Sequence, residues 1–275
     1  MKLEKRIVDT TLRDGEQCPG IVFRKEDKVL LAKALDLLGL WEMEVGVVSA
    51  GGKKMDFFEQ IMAERKQTKV SLWCRMMEDD MREACSMEPD LIHMGVPVSY
   101  VQIYTKLKKN KIWVQRQISS CLKIASEKNI PVTIGLEDST RADMGFILTL
   151  VHQLKNEGVS TIRLADTVGM LSPERAEGMI REIKTIEKGM AIEIHEHNDL
   201  GMAVANSLLM SKEGGDLIDC TLLGLGERVG NCNMYDFIHT AEKIFQLSID
   251  KGQVRKAENL LIDILNRRLQ EEEVW

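Results

Sequence analysis

The chain has 275 residues, with 37 Lys and Arg against 43 Asp and Glu, a formal net charge of -6, and 44% hydrophobic residues. This length suffices for one large domain or two small ones, and the hydrophobic content is ordinary for a globular protein. The acidic balance argues against a nucleic-acid-binding protein, which usually carries a basic stripe. The start of the chain shows no signal peptide and no apolar segment is long enough to cross a membrane, so we expect a cytoplasmic protein.

Strand-like and helix-like segments alternate along the chain without a low-complexity linker. Short apolar runs predict eight strands, at residues 6–10, 42–47, 69–74, 91–94, 131–136, 161–165, 191–195 and 217–223. Amphipathic patterns predict helices between them, for example at residues 25–38, 144–157, 173–186 and 200–212. Residues 99–129 are long enough for two helices. Ser172 followed by Pro173 predicts a helix start, and Gly158 predicts a helix end.

Eight strands that alternate with helices predict an α/β fold, a (β/α)8 TIM barrel. A doubly wound open sheet is the main alternative, but no glycine-rich fingerprint follows the first strand. Residues 1–248 are expected to form a catalytic barrel, and residues 249–275 a C-terminal helical extension. The sequence leaves open whether this extra helix packs on the barrel or on another chain. The six cysteines form no CxxC pair, which predicts reduced thiols.

Polar and charged residues collect where the predicted strands end, which is where the active sites of TIM barrels lie. The residues at these positions are Arg13, Asp14, Glu44, Arg75, Glu137, Asp138, Asp166, Thr167, His195, His197 and the segment 224–228. Charges scattered over the surface would have no reason to choose these positions. The sequence therefore predicts an active site at the carboxyl end of the barrel.

The seventh strand places two imidazoles on one face, because side chains along a strand alternate with a period of two. His195 and His197 then point together into the barrel mouth, whereas a lone strand histidine is more often a packed residue. Asp14 is the natural third ligand and Asn231 a candidate fourth, so we expect a bound divalent metal. Imidazole and oxygen ligands do not choose between Mg, Mn and Zn.

Three segments resemble the signatures of the 2-isopropylmalate synthase and homocitrate synthase family: DTTLRDGEQ at residues 9–17, HEHNDLG at 195–201 and GLGERVGN at 224–231. The resemblance covers about residues 5–245, and the stretch 92–99 looks nearer to the homocitrate synthases of nitrogen-fixing bacteria. These enzymes are metal-dependent TIM barrels that make carbon–carbon bonds next to a carbonyl. The resemblance implies an acyltransferase that condenses acetyl-CoA with a 2-oxo acid, 2-oxoglutarate being favoured, and then hydrolyses the thioester.

The resemblance also assigns roles to residues at the matching positions. The implied metal ligands are Asp14, His195, His197 and Asn231. Gln17 and Glu44 are implied in the substrate pocket, and Thr167 against the substrate carboxylate. Arg13 stands next to a metal ligand and could stabilise negative charge developing on oxygen. The alternative is a purely structural ion pair of Arg13 with Asp14 or Glu44.

Glu137 is the candidate catalytic base, since the reaction needs a carboxylate or imidazole of raised pKa, and the family places a catalytic Glu at this strand end. The alternative makes Glu137 an ion-pair partner of Arg141 or Arg163. Arg75 and Arg141 are candidate clamps for a second carboxylate of the substrate, because the guanidinium fork matches a carboxylate. His93 is a candidate substrate-binding residue, although it is equally compatible with the core.

The chain departs from the resembled synthases in length. Those enzymes continue past the barrel with a lid region that reaches the active site of a neighbouring subunit. We therefore expect a homodimer or a separate lid-bearing subunit, and a barrel subunit that is inactive alone remains an alternative. A lyase of the 3-hydroxy-3-methylglutaryl-CoA lyase type is a further alternative, but such lyases carry a reactive Cys where this chain has Arg228.

Overall fold

A computed structural model describes residues 2–52 and 55–272 as a closed barrel of eight parallel strands. The strands pair in chain order and the last closes on the first, so the predicted TIM barrel is confirmed. They are β1 (Arg6–Asp9), β2 (Glu42–Val48), β3 (Lys69–Arg75), β4 (Leu91–Pro97), β5 (Val132–Glu137), β6 (Thr161–Asp166), β7 (Ala191–Glu196) and β8 (Leu217–Cys220).

The helices follow the strands and cover the outside of the barrel. They are α1 (Lys25–Asp36), α2 (Asp56–Glu64), α3 (Glu78–Ser86), α4 (Lys111–Glu127), α5 (Met144–Asn156), α6 (Pro173–Ile186), α7 (Ala203–Lys212), α8 (Met234–Ala241) and α9 (Lys251–Glu272). The predicted start of α6 is confirmed, because the Ser172 hydroxyl accepts a hydrogen bond from the Arg175 amide. Between residues 99 and 129 a π-helical turn, Val101–Lys106, replaces the first of the two predicted helices.

The eighth strand is shorter than predicted. It ends at Cys220 because the chain then turns, and Leu223 adopts a left-handed backbone with φ of 57°. Helix α7 likewise begins at Ala203 rather than near residue 200, since the chain between β7 and α7 belongs to the loop above the barrel mouth. Both differences lengthen the loops that surround the predicted site.

The barrel interior is polar, and two glycines make room for its largest rings. A Cβ atom at Gly95 would lie 2.4 Å from the Trp73 ring, and one at Gly135 would lie 2.3 Å from Nε2 of His93. These contacts are shorter than van der Waals packing allows, so only glycine fits beneath each ring. The apolar core instead lies between strands and helices, where Ile192 and Ile194 of β7 are fully buried.

Helix α9 packs on the barrel, against α1 and α8. Its buried face carries four apolar residues that join the same core as the barrel: Val254, Ala257, Leu261 and Ile264. Arg268, near its end, pairs with Asp27 at the start of α1. Residues 273–275 of the predicted extension lie outside the described residues. Within the described part of the chain, no helix combines the length and apolar character that crossing a membrane requires.

Candidate active site

The mouth of the barrel brings three predicted metal ligands together. One ligand atom from each of Asp14, His195 and His197 lies within 4.8 Å of the others, and all three residues are buried. Asp14 sits in the turn after β1, where its amide donates a hydrogen bond to the Thr10 carbonyl over 2.8 Å. Oδ2 of Asp14 lies 3.0 Å from Nε2 of His195 and 3.8 Å from Nε2 of His197. The two imidazoles and the carboxylate thus converge on one point.

The pKa values of the three predicted ligands depend on burial and on one another. Burial would raise the pKa of Asp14, but the neighbouring Arg13 and both histidines outweigh it and hold that pKa far below its ordinary value. Burial opposes the charge of His195, yet hydrogen bonds with Asp14 and Asp219 raise its pKa to about 10. The pKa of His197 falls to about 3 because of burial and the charge on His195.

Asn231, the fourth predicted ligand, lies in the loop after β8 beside His197. Its backbone forms a bridge with His197, and its side-chain amide donates to the Leu225 carbonyl over 2.8 Å. Its Oδ1 is buried and accepts no hydrogen bond from any described residue, which leaves an amide oxygen available as a ligand. The donor set of two imidazoles, a carboxylate and this oxygen fits a divalent cation.

Hydrogen bonds tie the loops around this cluster to one another. The guanidinium of Arg228 donates to both Asp199 oxygens, over 2.8 and 3.0 Å, and to the Thr167 carbonyl over 3.0 Å. These bonds join the loops after β6, β7 and β8. The loop after β8 also needs Gly230, because a Cβ there would lie 2.0 Å from the Gly224 carbonyl oxygen. The GLGERVGN segment therefore holds Asn231 in place through a tight and tethered turn.

Glu137 ends β5 and faces the same space. The Thr167 hydroxyl donates to its Oε2 over 3.2 Å and accepts from the Asp138 amide over 2.8 Å. Burial raises the pKa of Glu137, although His195 and the nearby arginines partly offset this effect. No described ion pair joins Glu137 to Arg141 or Arg163, so the alternative role as an arginine partner finds no contact to support it.

Two cavities meet at Glu137. The smaller, of about 130 Å³, is lined by the three clustered metal-ligand residues together with Arg13, Gln17 and Thr167. The larger, of about 570 Å³, lies over the ends of β3 and β4 and has a mostly apolar lining that includes Trp113. Trp73, Glu137 and Thr167 line both cavities. A carboxylate at this junction can reach ligands in either space.

The chain matches the HMGL-like family over residues 4–261. It belongs to this family. Over 244 residues it is 40% identical to the homocitrate synthase subunit alpha of Clostridium pasteurianum, an alignment that covers 87% of this chain and 90% of that protein. Over 245 residues it is 34% identical to the homocitrate synthase of Frankia sp. (strain FaC1), covering 89% of this chain but only 61% of that protein.

The HMGL-like barrel also resembles solved structures of more distant proteins. Hydroxymethylglutaryl-CoA lyase from Pseudomonas aeruginosa superposes with a TM-score of 0.83 at 18% sequence identity. The superposition covers 96% of this chain and 94% of the lyase. At this level of identity the likeness shows a shared fold, and it does not extend to the reaction.

Within this HMGL-like site, Arg13 and Glu44 form one buried ion-paired group. Arg13 pairs with Glu44 and lies 3.4 Å from Asp14, so the structural ion pairs that the sequence allowed are present. Arg13 nevertheless lines the small cavity. Glu44 is fully buried, and its Oε2 lies 3.9 Å from Nδ1 of His93. His93 is equally buried and lines neither cavity, so both residues lie beneath the site.

The two predicted carboxylate clamps have partners of their own. Arg75 donates from Nε and Nη2 to Asp80, over 2.6 and 3.0 Å, and it lines the larger cavity only. Arg141 donates in the same way to Asp138, over 2.8 and 2.7 Å, and lines neither of the two cavities. The structure therefore does not bring either arginine to the predicted metal ligands, because a nearby aspartate holds each one at the rim of the barrel.

Two charged residues inside the barrel lie at the site, although the sequence did not identify either of them as a site residue. Arg163 of β6 lines the small cavity. Oδ2 of Asp219, on β8, accepts a hydrogen bond from Nδ1 of His195 over 2.9 Å. Each is a charged residue inside a largely apolar strand. Because burying a charge is costly unless it is paired, this pattern could have identified both residues from the sequence. Only the closed barrel shows that both lie next to the predicted metal ligands.

Proposed function

We propose that this chain is an acyltransferase that condenses acetyl-CoA with a 2-oxo acid, with 2-oxoglutarate as the favoured acceptor, and then hydrolyses the thioester. One observation carries the proposal: a metal-ligand cluster and a buried carboxylate of raised pKa face one small cavity that opens into a larger apolar one. This arrangement supplies a place for each substrate and a base between them. The names of its relatives in the HMGL-like family support the same reaction class.

We assign the metal site to Asp14, His195, His197 and Asn231. A divalent cation held there would polarise the ketone of a bound 2-oxo acid as a Lewis acid. Asp219 orients His195 from behind through its hydrogen bond to Nδ1, which keeps Nε2 directed at the cluster. The donor set does not distinguish Mg, Mn and Zn, so the identity of the metal is left to experiment.

Glu137 is assigned as the base that removes a proton from the methyl group of acetyl-CoA. Its position at the junction lets a thioester approach from the larger cavity while the 2-oxo acid occupies the smaller one. Burial raises its pKa, which strengthens the carboxylate as a proton acceptor once it is ionised. Thr167 orients the carboxylate through its hydrogen bond to Oε2.

Arg13 is assigned to the stabilisation of negative charge that develops on substrate oxygen atoms. Its side chain is 10% exposed, lines the small cavity and stays charged, since its ion pairs raise its pKa further against the effect of burial. Gln17 lines the same cavity and is assigned to substrate binding with Thr167. Glu44 holds Arg13 in place from below.

A second candidate is a barrel subunit that needs a partner chain for turnover. The observation that favours it is the length of the relatives: the chain covers 90% of a protein named homocitrate synthase subunit alpha but 61% of a protein named homocitrate synthase. A lyase has weaker support, because the lyase likeness concerns the fold alone. Cys220 and Cys232, the cysteines nearest to the loop after β8, are both fully buried.

The test is thiol release from acetyl-CoA by purified, metal-loaded protein with pyruvate, 2-oxoisovalerate, 2-oxoglutarate or oxaloacetate. Release that depends on one 2-oxo acid, and that is lost in Asp14→Ala and His195→Ala, supports the synthase. His239→Ala is the matched control, since this histidine is exposed on α8. Release only after a second chain is added would favour the split enzyme. Cleavage of a hydroxyacyl-CoA without any condensation would overturn the proposal.

A further inference from the structure

The small cavity contains one arginine whose outer nitrogens make no hydrogen bond. Arg163 projects from β6 into the barrel and is 1% exposed. Its Nε donates to Glu193 over 2.6 Å and lies 2.9 Å from Asp219. Nη1 lies 3.1 Å from Glu44 without a hydrogen bond between them, and Nη2 has no acceptor among the described residues. The three carboxylates therefore contact Nε and Nη1 of the guanidinium and leave Nη2 without an acceptor in the described part of the chain.

A buried charged donor without an acceptor is costly, so Nη2 of Arg163 calls for an acceptor inside the cavity. A carboxylate oxygen suits this donor, because hydrogen bonds between a guanidinium and a carboxylate are charge-assisted. Arg13, the other lysine or arginine among the described lining residues, is directed towards Asp14 and Glu44. Arg163 is thus a second cation of this cavity, besides Arg13, with a donor to offer a ligand.

The position of Arg163 relative to the predicted metal ligands indicates which kind of small molecule can bind here. Asp219 contacts both Nε of Arg163 and Nδ1 of His195, with 2.9 Å to each, so a single residue separates Arg163 from a predicted metal ligand. A ligand held at the cluster by its 2-oxo acid end would present its far end to Arg163 within the same cavity of about 130 Å³. Such a ligand has a short chain with a carboxylate at each end.

We propose that Arg163 binds the distal carboxylate of the acceptor substrate and makes this chain selective for dicarboxylic 2-oxo acids. This inference rests on the proposed function, because it concerns the acceptor of that reaction. It assigns to Arg163 the role that the sequence suggested for Arg75 and Arg141, which Asp80 and Asp138 hold at the rim of the barrel.

The first experiment uses the unaltered protein. The kcat/KM for acetyl-CoA-dependent thiol release is measured with 2-oxoglutarate and with 2-oxopentanoate, which has the same carbon chain but a methyl group in place of the distal carboxylate. We expect at least about a 100-fold preference for 2-oxoglutarate, since a site built to pair a polar group rejects an analogue that lacks it. Equal use of the two acids would overturn the proposal.

The second experiment replaces the fork and keeps the charge. Arg163→Lys is expected to lower kcat/KM for 2-oxoglutarate at least about tenfold, mainly through KM, and to leave 2-oxopentanoate within about threefold. Arg181→Lys, an exposed arginine of α6 that pairs with Glu213, is the matched control. A purely structural role for Arg163 predicts equal losses for both acids together with a lower melting temperature, and that result would refute the assignment.

A binding measurement separates this inference from the proposed function. Calorimetric titration of the metal-loaded protein with each acid, without acetyl-CoA, reports selectivity even if no thiol is released. Tighter binding of 2-oxoglutarate without turnover would support Arg163 and contradict the synthase as an independent enzyme. Turnover with a preference for 2-oxopentanoate would support the synthase and reject Arg163 as the selectivity residue. If Arg163→Lys does not fold, the comparison of the two acids on the unaltered protein still decides.

Discussion

Gly135→Ala is expected to destabilise the barrel through one steric contact. The added Cβ would lie 2.3 Å from Nε2 and 3.0 Å from Cε1 of His93, a ring with no exposure to solvent. The ring is enclosed in the barrel, and overpacking at such a site costs about 1–3 kcal/mol of the free energy of unfolding. Because the distance is far below contact, we expect the upper half of that range.

Gly178→Ala provides the matched control. Gly178 lies within α6, and a Cβ there would meet no atom within 4 Å. Both substitutions restrict the unfolded chain equally, and Ala suits a helix, so this variant should gain about 0.4–1 kcal/mol. Urea unfolding followed by tryptophan fluorescence measures both free energies. If the two variants differ by less than about 0.5 kcal/mol, the packing of His93 over Gly135 is wrong.

A double variant tests the mechanism of this loss. His93→Ala removes the ring that the new methyl group would strike, so Gly135→Ala should cost much less in that background than in the unaltered protein. The coupling free energy between the two positions is then the measured quantity. An unchanged cost would show that the methyl group collides with some other part of the barrel.

Three further predictions concern the site. Mn²⁺ at 100 times its Kd should stabilise the protein by about 2.7 kcal/mol, and His195→Ala should abolish this shift in thermal unfolding; a retained shift would place the ion elsewhere. Glu137→Gln should lower kcat about 10²–10⁴-fold without lowering the melting temperature. Since only the ionised carboxylate accepts a proton, activity should rise with pH through a pKa above the ordinary glutamate value, and Glu137→Gln should lack this rise. Asp219→Asn should weaken metal binding about 10–100-fold in a direct titration, and unchanged affinity would contradict its orienting role.

Much of the fold and part of the site follow from local patterns in the sequence. The alternation of strands and helices predicted the barrel, since the hydrophobic periodicity of each segment indicates whether it is a strand or a helix. The period of two along β7 placed His195 and His197 on one face, and the rule that barrel sites lie at strand ends brought Asp14 to them. These inferences need only the direction of a side chain on its own strand.

Other features depended on which residues meet across the barrel. Arg75 and Arg141 looked available in the sequence, but Asp80 and Asp138 hold them at the rim. The Nη2 atom of Arg163 is seen to lack an acceptor within the described chain only once the carboxylates of three other strands are placed around this side chain. By itself, therefore, the sequence determined the barrel and the metal-ligand cluster, because periodicity is a local property. Only the tertiary structure decided which charges pair and which remain available, because that depends on distances between residues far apart in the chain.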